Sequence, residues 1–246
     1  MAIRAVVFDL DGTLVQTERL KAQSYAKATV ELCPYTVTEG EVIDAFKDVV
    51  GLSRKEAAEG LIAKYNLEEK AAARMDEFGV STPWQAFVQV RMKYYADMLA
   101  DPDVLRNNQW PHNVELLHAV REHGCSTALA TMSHCEQVNY VVDTLELRPL
   151  LDFIATRDDV NNGKPDPEIY NLVRGTFGHP ADTMLVIEDS PSGVKAAIAA
   201  GMHVIAVSTP FTMEKLRTET DMDGQYIVDD PADLMGVVKQ FVAVAE

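Results

Sequence analysis

Short apolar runs rich in strand-forming residues recur at residues 5–10, 127–130, 184–187 and 203–207, and stretches with helical periodicity separate several of them. The helix beginning near Asn113 places Val114, Leu117 and Val120 on one side and stops at Gly124, a residue suited to a left-handed cap. After Pro191 the same arrangement returns, with Val194, Ala197 and Ile198 as the apolar stripe and Gly201 as the stop before the next strand. Strand alternating with helix predicts parallel βαβ units, and therefore an α/β fold with a doubly wound, mostly parallel sheet.

From Gln16 to Asp101 the rhythm breaks. Helical stripes such as Ala22, Tyr25, Ala26, Thr29 and Ala57, Leu61, Ile62, Tyr65 follow one another without a convincing strand. The pattern predicts a small helical domain over residues 16–101, inserted into an α/β core made of residues 1–15 and 102–246. A turn-rich stretch from Asp101-Pro102-Asp103 through Asn107-Asn108 to Pro111 marks the return to the core.

Charge narrows the range of partners. With 38 acidic against 22 basic residues, a formal charge of −16 repels polyanions, which argues against nucleic acid and anionic membranes. A phosphorylated ligand must then be small and locally welcomed. Cys33, Cys125 and Cys135 match neither a zinc spacing nor a redox pair and read as buried, reduced thiols of a cytoplasmic protein. The N-terminal Met-Ala-Ile-Arg runs directly into the first strand without a signal-peptide pattern, and no apolar run reaches the roughly 18–20 residues that span a bilayer.

The sharpest chemical signal is Asp9-Leu10-Asp11-Gly12-Thr13 at the end of the first predicted strand, where parallel sheets present ligands. At average residue usage this pattern arises by chance about once in 10⁵ positions, so an ordinary acidic turn is a poor account of it. Three further segments fall at or just beyond strand ends. Thr131-Met132-Ser133 offers a hydroxyl and backbone N–H groups at a helix opening, suited to phosphate oxygens. Gly163-Lys164-Pro165-Asp166-Pro167 fixes a lysine between a flexible and a rigid residue, and Glu188-Asp189-Ser190 carries two adjacent carboxylates into a helix. Each alone has a purely structural reading, and only the set of four is specific.

In order, spacing and strand-end placement, these four segments resemble the motifs of the haloacid dehalogenase superfamily, and the helical insert resembles its type 1 cap. The Gly-Lys-Pro-x-Pro loop is similar to the subgroup holding β-phosphoglucomutase and sugar-phosphate phosphatases. The resemblance implies a Mg²⁺-dependent enzyme acting on a small phosphorylated metabolite, with Asp9 as nucleophile and Asp11 as general acid and base. It implies metal ligation by Asp9, the Asp11 backbone carbonyl and Asp189 with Glu188 nearby, and phosphate binding by Thr131, Met132 and Lys164. An aspartate at position 11 disfavours the dehalogenase and phosphonatase branches. In the insert, Gly51-Leu52-Ser53-Arg54 is similar to the loop that presents a substrate-binding arginine, with Arg91 and Lys21 as further cations. The mutase carries Asp-Thr after the first motif and a histidine four positions beyond; here Gln16-Thr17 and Lys21 stand there, which favours a phosphatase over a mutase. A non-catalytic binding module on the same scaffold is the reading from another class; it has little use for all four motifs.

Overall fold

The computed structural model describes residues 2–50 and 52–242. Gly51, part of the arginine-bearing loop, lies outside the described residues. Strands β1 (Ala5–Phe8), β2 (Ser126–Ala130), β3 (Phe153–Ala155), β4 (Met184–Glu188), β5 (His203–Val207) and β6 (Ile227–Val228) form one parallel sheet in the order β3-β2-β1-β4-β5-β6. This is a doubly wound α/β sheet whose direction of winding reverses between β1 and β4. Phe8 lies in register with Leu129 on one side and Ile187 on the other. The residues that follow, Asp9 and Glu188, are thereby delivered to neighbouring strand ends.

The chain divides into two compact units, one running through Gln16 and resuming at Leu105, the other Thr17–Val104. The second unit is helical: α1 (Thr17–Leu32), α2 (Glu39–Val49), α3 (Arg54–Tyr65), α4 (Glu68–Ala72), α5 (Met75–Phe78) and α6 (Pro83–Leu99), and the chain returns to the first unit within α7 (Pro102–Arg106). Its helix starts are written locally. Thr38 with Glu41 and Ser53 with Glu56 form reciprocal capping boxes, each satisfying two otherwise orphaned N–H groups. Tyr25 centres its packing, with ring centroids 5.6 Å from Phe46 and 5.7 Å from Phe87.

In the α/β unit, α8 (Pro111–Glu122), α9 (Cys135–Thr144), α10 (Glu168–Phe177), α11 (Pro191–Ala199), α12 (Met213–Glu219) and α13 (Leu234–Val238) complete the fold. Strands β1 and β4 are buried along their whole length, as a parallel strand covered on both faces must be. Val7, Ala128, Val186 and Ala206 from the sheet pack with Tyr170 and Val173 of α10 and Val194 and Ala197 of α11 in one core cluster.

Three expectations need correction. Ile198 is 49% exposed; α11 instead buries Gly193, Val194, Ala196 and Ala197, small residues that let the helix lie close to β4 and β5 and turn Ile198 outward. Helix α8 starts at Pro111 rather than near Asn113, and Asn113 itself is buried. Cys135 is exposed while Cys33 and Cys125 are buried, because it opens α9 at the surface. Among the described residues no helix is long and apolar enough to cross a membrane.

Candidate active site

The sheet's carboxyl edge gathers charge around one lysine. Lys164 Nζ donates to Asp9 Oδ1 at 2.7 Å, to Glu188 Oε1 at 2.6 Å and to the Ala130 carbonyl at 3.0 Å. These partners end β1, β4 and β2, so the ammonium spans the point where the sheet reverses. Its side chain is only 3% exposed. The loop that carries it is pinned by Glu168, whose carboxylate accepts from the Asn161 and Asn162 N–H groups at 2.9 and 2.8 Å. The Lys164 N–H itself meets Met132 Sδ at 3.4 Å, which ties the second motif to the third.

The other candidate residues attach through intermediaries. Gly12 turns the chain at φ +91°, and a Cβ there would lie 2.2 Å from Asp189 Oδ2; only glycine permits both the backbone conformation and the approach. Thr13 Oγ1 donates to Asp189 Oδ1 at 3.4 Å, and the Thr13 carbonyl accepts from Asn113 Nδ2 at 2.5 Å. Ser133 Oγ donates to Asp11 Oδ2. Of the N–H groups in the second motif, that of Thr131 goes to the Ala155 carbonyl at 3.0 Å and that of Ser133 to Thr131 Oγ1 at 3.1 Å. Met132 is the member whose N–H enters neither bond.

Asn113, Tyr170 and Gly193 contribute to this site although the sequence singled out none of them for it, and Ser133, expected in the phosphate-binding segment, also bonds Asp11. Tyr170 and Asn113 look like core and helix residues locally; nothing short of the fold reveals what they touch. Gly193 had a signal only in hindsight, as a glycine three positions into a helix.

Electrostatics makes the cluster demanding. Burial is the largest influence on Asp9, raising its pKa; Lys164 lowers it, Glu188 and Asp11 raise it again, and the outcome is a carboxyl pushed up to about 7. Burial works against the charged form of Lys164, but Asp9 and Glu188 outweigh it and hold the ammonium well above its ordinary range. Three buried carboxylates, Asp9, Glu188 and Asp189, with the half-buried Asp11, therefore gather around the buried Lys164 ammonium. Such a donor set suits a hard divalent cation. Among the described residues no three His, Cys, Asp or Glu side chains form a ready-made cage, and Mg²⁺, which retains several waters and accepts backbone carbonyls, requires none. Glu188 is already engaged at both oxygens: Oε1 by Lys164, Oε2 by the Ser190 N–H at 2.7 Å and Ser190 Oγ at 2.9 Å.

Gly193 makes that engagement possible, since a Cβ at this position would lie 1.7 Å from Glu188 Oε1. Gly193→Ala is expected to drive the Glu188 carboxylate off Lys164 and lower turnover by about 10- to 100-fold, in the range seen when a supporting contact around a catalytic or metal site is lost. Steady-state rates per folded molecule check it, and wild-type turnover in this variant would mean that Glu188 has another place to go.

The three candidate cations in the helical unit, Lys21, Arg54 and Arg91, all act on one phenol. Burial raises the pKa of Tyr25, while Arg91, Arg54 and Lys21 all pull it down. Arg91 is 4% exposed and its guanidinium stacks 5.1 Å from the Tyr25 ring centroid and 4.4 Å from that of Tyr95. Arg54 is exposed at the start of α3. His134 is engaged with Asp158, Nδ1 to Oδ1 at 2.7 Å.

Comparison with known proteins agrees with this architecture. Residues 6–207 match the haloacid dehalogenase-like hydrolases. A phosphorylated carbohydrates phosphatase of Thermotoga maritima is 28% identical over 204 residues, covering 82% of this chain and 84% of that protein. A phosphoglycolate phosphatase of Salmonella typhimurium is 30% identical over 214 residues, 84% of this chain and 81% of its own. In structure, a β-phosphoglucomutase of Clostridium difficile superposes with a TM-score of 0.67 over 97% of this chain and 98% of that one at 19% identity, a likeness of fold. With the family match spanning residues 6–207 of 246, the chain belongs to the haloacid dehalogenase-like hydrolases.

Proposed function

We propose that this protein is a Mg²⁺-dependent phosphatase that hydrolyses a small phosphomonoester through a phosphoryl group carried transiently on Asp9. The observation that carries this reading is the buried Lys164 ammonium bonded to both Asp9 and Glu188. A phosphomonoester dianion repels an approaching carboxylate, so Asp9 can attack only where positive charge receives the phosphoryl oxygens. Lys164 is that charge within the chain, and the Met132 N–H with the Thr131 hydroxyl complete the cradle.

Bound Mg²⁺, held by Asp9, the Asp11 carbonyl and Asp189 with Glu188 nearby, would neutralise the remaining carboxylates and polarise the transferring group. Asp9 forms the new O–P bond as the bond to the leaving oxygen breaks. Asp11, held by Ser133 Oγ, gives its proton to that leaving alkoxide. In the second half-reaction it takes a proton from the water that attacks phosphorus, releasing phosphate and restoring Asp9. The helical unit serves as the cap, with Arg54, Arg91 and Lys21 recognising the part of the substrate that is not transferred.

Named relatives that act on phosphorylated carbohydrates and phosphoglycolate support a metabolite of that size. The test is phosphate release from a panel of phosphometabolites with and without Mg²⁺, including phosphoglycolate, hexose phosphates and β-glucose 1-phosphate. Stoichiometric phosphate release dependent on Mg²⁺ is expected. Interconversion of isomers without release would identify a mutase instead, an outcome disfavoured by Lys21 standing where that reaction uses a histidine. Arg54→Ala should raise KM for the preferred substrate by about 10-fold, the loss of one charge-assisted contact, and an unchanged substrate ranking would remove Arg54 from the recognition role.

A further inference from the structure

We infer that Tyr170 is a positioning residue for Lys164, acting through the face of its ring. Tyr170 is 0% exposed, in the first turn of α10 and six positions after the lysine. The Lys164 ammonium lies over its ring at 5.1 Å from the centroid. The hydroxyl reaches Glu188 Oε1 at 3.4 Å, near the limit of a hydrogen bond and on an oxygen that already receives Lys164 at 2.6 Å. The hydroxyl also faces Lys164 directly, so ring and hydroxyl both bear on the ammonium, and the substitutions below separate their shares.

Counting donors shows why this matters. An ammonium has three N–H groups, and those of Lys164 go to Asp9 Oδ1, Glu188 Oε1 and the Ala130 carbonyl. To receive a phosphoryl oxygen the lysine must release one of them, and Asp9 Oδ1 is the one whose charge is spent when Asp9 attacks phosphorus. During that exchange a cation held only by hydrogen bonds loses part of its anchorage. The aromatic face attracts the charge without consuming a donor, so it keeps the ammonium in place while its partners change. This inference rests on the phosphatase reading for its functional half; the contact itself does not.

Replacing Tyr170 with phenylalanine and then with a graded series of 4-fluoro-, 3,5-difluoro- and pentafluorophenylalanine weakens the ring's attraction for a cation with little change in shape. Tyr170→Phe reads the hydroxyl's share of kcat, and the fluorinated series should lower kcat stepwise to about tenfold below the phenylalanine variant with KM nearly constant. Thermal midpoints of the same series, measured without substrate, should fall in the same order. A residue that only fills the core would show neither trend, since fluorination preserves apolar bulk. Flat kcat across an active series overturns the positioning role even if the midpoints fall. Should wild type and Tyr170→Phe both fail to turn over any phosphomonoester, the phosphatase reading fails separately, and the thermal series alone decides whether the ring holds Lys164.

Discussion

Asp9→Asn is expected to lower kcat by at least about 10⁴-fold, on the scale of losing a covalent nucleophile, while leaving the fold intact. The amide matches the carboxylate in shape, so the packing at the end of β1 is preserved, but its nitrogen and oxygen are too weakly nucleophilic to attack phosphorus. The same substitution makes a second prediction of opposite sign. Asp9 in the fold is pushed from 3.8 up to about 7, with burial as the main cause. The folded state therefore holds a proton that the unfolded chain has already released between those values. Stability from this group is full below the unfolded pKa and is lost as pH rises through about 7. Above that pH, in EDTA, the wild type carries an unfavourable ionised Asp9 that the variant lacks. Asp9→Asn should then unfold at an equal or higher temperature than wild type at pH 8. On the proposed metal site adding Mg²⁺ should reverse the ranking, because the variant has lost one charged ligand and ligand binding to the folded state would raise the wild-type midpoint more. Thermal melts with and without Mg²⁺ read both halves, and a variant that is less stable without metal yet stabilised normally by Mg²⁺ would sink the assignment.

How much of this was legible in the sequence follows from the range of the interactions. Strands β1, β2, β4 and β5 are runs of apolar residues buried on both faces, and a buried parallel strand announces itself through composition. Strands β3 and β6 escaped notice because three and two residues at the sheet's edges, with Phe153, Ile154 and Ile227 only partly buried, carry too little pattern to stand apart from a loop. The helical unit was visible from the 3.6-residue spacing of Tyr25, Leu61 and their neighbours, although that spacing fixes a helix's face only roughly, as Ile198 shows. Chemistry-bearing residues were nameable because they sit in short motifs at the ends of predicted strands; the strand order that brings the ends of β1 and β4 side by side is what the fold adds. What no local pattern could supply is how the carboxylates are held. The Ser133 bond to Asp11 joins residues 122 positions apart, and the Asn113 bond to the Thr13 carbonyl joins residues 100 positions apart. Such pairs are consequences of the assembled sheet.

Lys164→Met should cost stability as well as catalysis, and the stability cost should depend on pH. Methionine nearly matches the lysine stem in length and polarisability, so little packing is lost. What disappears is the positive charge that meets Asp9 and Glu188 at 2.7 and 2.6 Å, where the lysine side chain is 3% exposed and those of Asp9 and Glu188 are 7% and 1% exposed. Removing one member of a buried ionic cluster strands the others, at a cost of about 3–5 kcal/mol. The loss need not be uniform. Lys164 is one of the influences that lower the Asp9 pKa, which stands at about 7 with the lysine present; without it Asp9 titrates higher still. At pH 5.5 Asp9 accepts a proton and removes one of the stranded charges; at pH 8.5 it does so less completely, and the penalty is larger. Urea unfolding of wild type and variant in EDTA should show a stability difference that grows from pH 5.5 to pH 8.5. On the proposed metal site Mg²⁺ would also compensate those carboxylates, so adding it should recover part of the lost stability at the higher pH while turnover stays depressed by about 10³-fold, because the metal would restore charge to the carboxylates but not the donor that receives the phosphoryl oxygen. A stability deficit that is the same at both pH values, and is indifferent to Mg²⁺, would mean that Lys164 is held by packing and that the cluster's charge balance is set elsewhere.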